Sequence, residues 1–165
     1  MEAHTHSKYL IVTLVSLTIL LLDQATKYLI IHTLPLHHSF PIVKHFVTIL
    51  HTRNKGIAFG LLAGQGGEVR STMLIITSFL AIAFIFYLLK NLKSAQRYAI
   101  ITLSLILGGA IGNLIDRVRW GEVIDFIDLH WYHYHWPAFN VADAAISTGL
   151  VLLFIGIVTN QFPSK

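Results

Sequence analysis

Two stretches of this chain run without a charged side chain for long enough to cross a lipid bilayer. Residues 71–89 pass 19 positions with no Asp, Glu, Lys or Arg, and residues 98–115 repeat the pattern before Asp116 and Arg117 close it. A helix needs about 20 apolar residues to cross the hydrocarbon core, where its backbone polar groups must be satisfied internally. Two further segments fit. Residues 9–31 are apolar except for Asp23 and Lys27 near the far end, and the chain is again uncharged from Ala144 to Ser164. The last segment begins near Pro137. The spans are expected at 9–31, 71–89, 98–116 and 139–160, in a single integral-membrane domain over residues 1–165.

The first span could pass for a signal peptide. Its apolar run exceeds the roughly 7–15 residues of a typical signal core, and no small-x-small cleavage site follows, so it is expected to be retained. Charge agrees with the membrane reading: 12% of residues are charged, about half the usual soluble figure. The net charge of +4 does not point to nucleic acid, because no basic run or face exists and the cations flank apolar segments. The absence of cysteine excludes a thiol nucleophile, a disulfide framework and a cysteine metal site.

Four spans put both termini on one side. Lys8, Lys90, Lys93, Arg97 and Lys165 fall there in short segments, whereas the other side spreads its Lys and Arg over much longer connections. Density of positive charge therefore predicts cytoplasmic termini. Between the first two spans, residues 42–50 are rich in Ile, Val, Phe and Thr and read as a strand. RNKGIAFGLLAGQGG, residues 53–67, reads as a turn-rich loop.

The acidic residues are the anomaly. Four of the eight lie between Asp116 and Asp128, and Asp143 follows. An Asp at the centre of a spanning helix costs about 2.5–3.5 kcal/mol on insertion scales, so such grouping beside two spans needs a purpose. Asn113, Asp116 and Arg117 share a helix face, as do Asn140 and Asp143. Asp125 lies between them, flanked by Ile124 and Phe126, as expected for a carboxylate on a buried segment. Two carboxylates sharing a site cannot both ionise cheaply; one keeps a proton while the other is a base. Asp125 and Asp143 could thus activate water against a peptide carbonyl and protonate the leaving nitrogen.

Other readings compete. Asp116 with Arg117, and Asp23 with Lys27, fit structural or orienting ion pairs. Asp143 alone fits an acid near a helix N-terminus, stabilised by the dipole. Carboxylates along a path would suit a proton-coupled carrier. His130, His133 and His135 beside Asp125 and Asp128 could ligate zinc, though no HExxH spacing is present. Arg53 and Asn54 could bind a substrate backbone or phosphate. The aromatic run WYHYHW, residues 131–136, suits the headgroup level and has no assigned role in this reading.

Five motifs in register carry a family resemblance: DQATK (residues 23–27), RNKGIAFGLL (53–62), GGAIGNLIDR (108–117), VIDFID (123–128) and FNVADAAI (139–146). Over nearly its whole length the chain resembles the lipoprotein signal peptidases, or signal peptidase II. The resemblance implies an aspartyl endopeptidase of the bacterial inner membrane, with both termini cytoplasmic and the active site near the outer face. It would remove signal peptides from prolipoproteins carrying a diacylglyceryl group, cutting before the lipobox cysteine. It implies an all-α fold of four transmembrane helices with a small extracytoplasmic β-cradle and a mobile outer segment, drawn from residues 42–62 and part of 118–137. By residue, it makes Asp125 and Asp143 catalytic, Asn54, Asn113, Arg117 and Asn140 substrate-binding, and Asp23, Lys27 and Asp116 supporting. It implies no metal or cofactor. The implied partners are lipid-modified prolipoproteins, membrane lipids and globomycin-type inhibitors. A monomer would suffice, since one chain supplies both aspartates. The small residues of GGAIG should allow close helix approach.

Overall fold

In the computed structural model the described residues are 2–56 and 67–161, with side chains described from residue 7 onward. The tip of the expected glycine-rich loop, residues 57–66, lies outside them. The element order is α1 (Glu2–Thr33), β1 (Ser39–Val43), β2 (Val47–Asn54), α2 (Gly67–Asn91), α3 (Arg97–Trp120), β3 (Val123–Trp131), β4 (Tyr134–His135) and α4 (Val141–Val158). All four helices are long and apolar enough to cross a membrane. The strands form one antiparallel sheet in the order β1-β2-β3-β4.

Helix α3 is the hub. Within its apolar window 67% of residues are buried, against 11% to 22% in the other three helices, which leave most of their apolar surface to lipid. Ile82, Ile85 and Leu89 of α2 pack with Ile100, Leu103 and Leu107 of α3. On its other sides α3 is lined by glycine, as GGAIG suggested. A Cβ on Gly108 would lie 2.7 Å from the Ser16 carbonyl oxygen of α1, and one on Gly109 would run into the Ala142 carbonyl oxygen of α4. The helices therefore approach to backbone contact, the packing that small residues permit in membranes. Buried Ser16 adds a hydrogen bond from its hydroxyl to the Ser104 carbonyl, 2.9 Å. Gly121, at φ 71°, ends α3 with its N–H on the Arg117 carbonyl, a conformation costly to most L-residues.

The sheet departs from the sequence reading in one place. The strand expected over residues 42–50 straddles a turn: β1 ends at Val43 and β2 starts at Val47, with Val43 paired to Val47. Lys44, His45 and Phe46 make the turn, and His45 adopts a φ of 67°. The connection over residues 118–137 is not only an interfacial loop, since it holds the longest strand, β3. The chain then returns along β3, where Phe139 bridges Ile127, and enters α4 at Val141 rather than near Pro137.

Candidate active site

Three elements converge where α3, β3 and the start of α4 meet. Strand β3 carries Asp125, which is 1% exposed. Its neighbour β2 pairs Thr52 with Asp125 and Asn54 with Val123, so Asn54 reaches the same carboxylate. The return of the chain along β3 delivers Asn140 as the N-cap of α4. Asn140 and Asp143 form a capping box: the Asp143 N–H donates to Asn140 Oδ1 at 2.9 Å, and the Asn140 N–H donates to Asp143 Oδ2 at 3.3 Å. Asp143 is thus the acid at a helix N-terminus that its position suggested, and it also faces the cluster.

Three asparagine amides organise the two aspartates, and each is oriented by a group that can only donate. Gly56 N–H donates to Asn54 Oδ1 at 2.8 Å, which turns Asn54 Nδ2 onto Asp125 Oδ2 at 3.0 Å. Asp143 N–H occupies Asn140 Oδ1, which turns Asn140 Nδ2 onto Asp125 Oδ1 at 2.7 Å. The Lys27 ammonium donates to Asn113 Oδ1 at 3.1 Å, which turns Asn113 Nδ2 onto Asp143 Oδ1 at 2.7 Å. An amide oxygen and nitrogen are told apart by such partners. The two middle amides also meet, Asn140 Nδ2 to Asn113 Oδ1 at 3.3 Å. Asp125 and Asp143 are therefore held in one network, with a donor on each of their four oxygens.

Beneath them lies a buried ion cluster. Lys27 Nζ is 2.9 Å from Asp23 Oδ2 and 2.8 Å from Asp116 Oδ2. The other Asp23 oxygen accepts the Ala142 N–H at 2.9 Å, so α1 helps to cap α4. Asp116 Oδ2 accepts the Ile124 N–H at 3.2 Å and fixes the start of β3. Gln24 was not singled out from the sequence, yet its Nε2 donates to Asp23 Oδ2, Asp116 Oδ1 and the Gly112 carbonyl. Its signal was its place three residues before Lys27, on the same helix face.

A cavity of about 570 Å³ opens beside the pair, walled by Asn54, Leu129, Trp136, Phe139, Asp143 and, along α4, Ser147 and Thr148. Asp143 is half-buried on this wall. Asp125 sits behind it, where burial and then the Asp143 charge push its carboxyl from 3.8 up to about 7; the Asn54 and Asn140 hydrogen bonds and the Lys27 charge pull the other way. A proton can therefore reside on Asp125 at neutral pH. Trp136 gives the WYHYHW run a place: its end forms part of the cavity wall.

The remaining candidates sit apart or nearby in other roles. Arg117 donates to the Ser78 hydroxyl at 3.3 Å. Arg53 lies over the Trp120 ring at 5.3 Å. His135 Nδ1 contacts Asp128 at 2.9 Å, and His130 and His135 stack with ring centres 4.7 Å apart. Among the described residues no three His, Asp or Glu side chains converge as metal ligands. The carboxylates Asp23, Asp116, Asp125 and Asp143 gather in one cluster rather than along a path.

Known proteins share this arrangement of sequence. A family model described as signal peptidase (SPase) II matches residues 15–159. A lipoprotein signal peptidase of Syntrophotalea carbinolica is 46% identical over 90% of this chain and 91% of its own length. One of Geobacter metallireducens is 45% identical over 93% of each. A solved structure described as a bacterial membrane enzyme, determined by the in meso method at 2.3 Å resolution, superposes with a TM-score of 0.80 at 33% identity, covering 93% of this chain and 91% of that one. With its four apolar helices and its match over most of their length, this chain belongs to the signal peptidase II family, the proteases of bacterial lipoprotein processing.

Proposed function

We propose that this protein removes the signal peptide from diacylglyceryl-modified prolipoproteins, cutting just before the lipid-bearing cysteine, with Asp125 and Asp143 as an aspartyl dyad. The observation that carries the reading is the shared network: two carboxylates from β3 and α4, bridged by Asn113 and Asn140, one buried and one on a cavity wall. The asymmetry supports a division of roles. Asp143, which accepts from Asn113 Nδ2 and the Asn140 N–H on the cavity wall, takes a proton from water as the water oxygen attacks the scissile carbonyl carbon. Asp125, protonated in its buried site, donates to the carbonyl oxygen as it becomes an oxyanion. When the carbon–nitrogen bond breaks, the proton on Asp143 passes to the leaving amine and Asp125 recovers its own.

The rest of the cluster serves this step. Asn54 on the cavity rim, and Arg117 near Asp116, Asp125 and Asp143, are the residues proposed to meet the substrate backbone or the ester and phosphate groups of lipid. The apolar cavity wall accommodates part of a lipid-modified peptide, which reaches the enzyme only at a bilayer. The chain acts as a monomer in the bacterial inner membrane, termini in the cytoplasm and dyad near the outer face. No metal takes part, and globomycin-type peptides compete for the same site.

The test is cleavage of a diacylglyceryl-modified prolipoprotein by purified protein in detergent with EDTA, comparing wild type, Asp125→Asn and Asp143→Asn. The expected result is cutting before the modified cysteine by the wild type alone, with all three proteins folded. Cutting by both variants, or wild-type activity that returns only with added zinc, overturns the assignment.

A further inference from the structure

We propose that Lys27 is a positioning residue for Asp143, acting through Asn113: its ammonium fixes which end of the Asn113 amide faces the carboxylate on the cavity wall. This rests on the dyad reading above.

Lys27 is 2% exposed and lies on α1, with its ammonium on three acceptors. Two are the carboxylates of Asp23 and Asp116, at 2.9 and 2.8 Å. An ion pair alone would be complete with these. The third contact, 3.1 Å to Asn113 Oδ1, lies on the side facing Asp143. An ammonium has three protons and no lone pair, so the atom it meets must be the amide oxygen. That leaves Asn113 Nδ2 to donate to Asp143 Oδ1 at 2.7 Å.

Asp23, Asp116 and Gln24 then act as the seat. Gln24 Nε2 reaches both carboxylates and the Gly112 carbonyl, so the two acids are held around the ammonium. Asp23 also accepts from the Ala142 N–H, so the residue that seats the lysine registers the helix bearing Asp143. The charged groups that interact with Asp143 are Asp125 from β3 and Arg117 from α3, with Lys27 from α1 reaching it through Asn113.

The consequence is chemical. Without the ammonium, only the longer 3.3 Å contact from Asn140 Nδ2 holds Asn113 Oδ1, so the amide can turn and present its oxygen to Asp143. A carboxylate is repelled by that oxygen, whereas a carboxylic acid donates to it. The proton would then move from Asp125 towards Asp143, and the base that activates water would be lost. Substrate binding at the cavity rim would be little affected.

The experiment is a double-mutant cycle of Lys27→Met and Asn113→Ala. It is run in an Asp116→Asn background, so that losing the ammonium does not strand two buried carboxylates. For each variant kcat, KM, the pH profile with diacylglyceryl-modified prolipoprotein, and the thermal midpoint are measured. Lys27→Met is expected to lower kcat about ten- to a hundredfold, keep KM within about threefold and shift the pH profile. Once Asn113 is alanine, Lys27→Met should cost less than about threefold more. Losses that multiply, or a lowered midpoint with kcat retained, overturn the proposal. If Lys27→Met does not fold, Lys27→Gln decides, since it removes the charge and keeps an amide N–H donor for Asn113 Oδ1. Retained kcat then supports the proposal, and lost kcat at an unchanged midpoint overturns it. Asp143→Asn in the same assay separates the two levels. If it still cuts, the dyad reading falls. If it is inactive while the cycle losses multiply, only the role of Lys27 falls.

Discussion

Each aspartate of the pair owes its behaviour to its neighbours. Asp125 carries the clearest pH signature, because burial and the Asp143 charge raise its carboxyl to about 7. The folded form therefore binds this proton more tightly than the unfolded chain, whose carboxyl titrates near 3.8. The stability contributed is complete below the unfolded value and is lost as pH rises through the folded one. Activity that needs the Asp125 proton should follow the same direction: kcat/KM is expected to fall above about pH 7, about tenfold per pH unit at the limit, in a rate profile of the wild type. A profile flat to pH 9 would remove Asp125 as the acid. Asn140 allows a second separation, because it both caps α4 and holds Asp125. Asn140→Ser keeps a capping oxygen and should be more stable than Asn140→Ala by about 1 kcal/mol. Both should lose activity at least tenfold, since neither donates to Asp125; thermal unfolding beside a cleavage assay distinguishes the two effects.

At the scale of elements, the site depends on how near α3 comes to α4. Gly109 faces the Ala142 carbonyl with no room for a Cβ, so Gly109→Ala should force the two helices apart at the start of α4. The expected cost is about 1–3 kcal/mol, with a greater loss of activity, because Asn140 and Asp143 shift away from Asn113. Gly67→Ala is the control, since no described atom lies within 4 Å of its Cβ position. The helices were legible in the sequence because long uncharged runs have so few other fates. The sheet was only partly so. The turn at Lys44–Phe46 lacks Gly, Pro, Asn or Asp, the residues that normally announce one, so two strands read as one. The start of α4 was misplaced for a similar reason: Pro137 suggested a helix opening, but residues 137–139 extend along β3, and the cap is Asn140. Asp125, Asp143 and the residues around them were legible as types and spacings. What the sequence could not display was direction, namely which amide end faces which carboxylate, or that Gln24 joins Asp23 to Asp116.

For the whole molecule, the cluster has a definite place along the bundle. Lys8 of α1 donates to the carbonyls of Lys90 and Leu92, 3.1 and 2.7 Å away, so the N-terminal end of α1 and the connection from α2 to α3 share one end. Lys90, Lys93 and Arg97 crowd that same end in a short segment, which is the basis of the proposed cytoplasmic placement of that end. The sheet, the dyad and the aromatic hairpin, with Tyr134 82% exposed, are carried at the opposite ends of α1 and α3. In the proposed orientation a peptide already lipidated on the outer leaflet would meet both aspartates there without crossing the membrane. The absence of native cysteine makes the orientation directly testable. A cysteine placed at His133, on the exposed hairpin turn, should react with a membrane-impermeant maleimide in intact cells whose outer barrier has been opened. One placed at Ala95, exposed between α2 and α3, should react only after the inner membrane is permeabilised. The reverse pattern would put the dyad on the cytoplasmic side, where the proposed substrate is not presented, and would overturn the reaction and the orientation together.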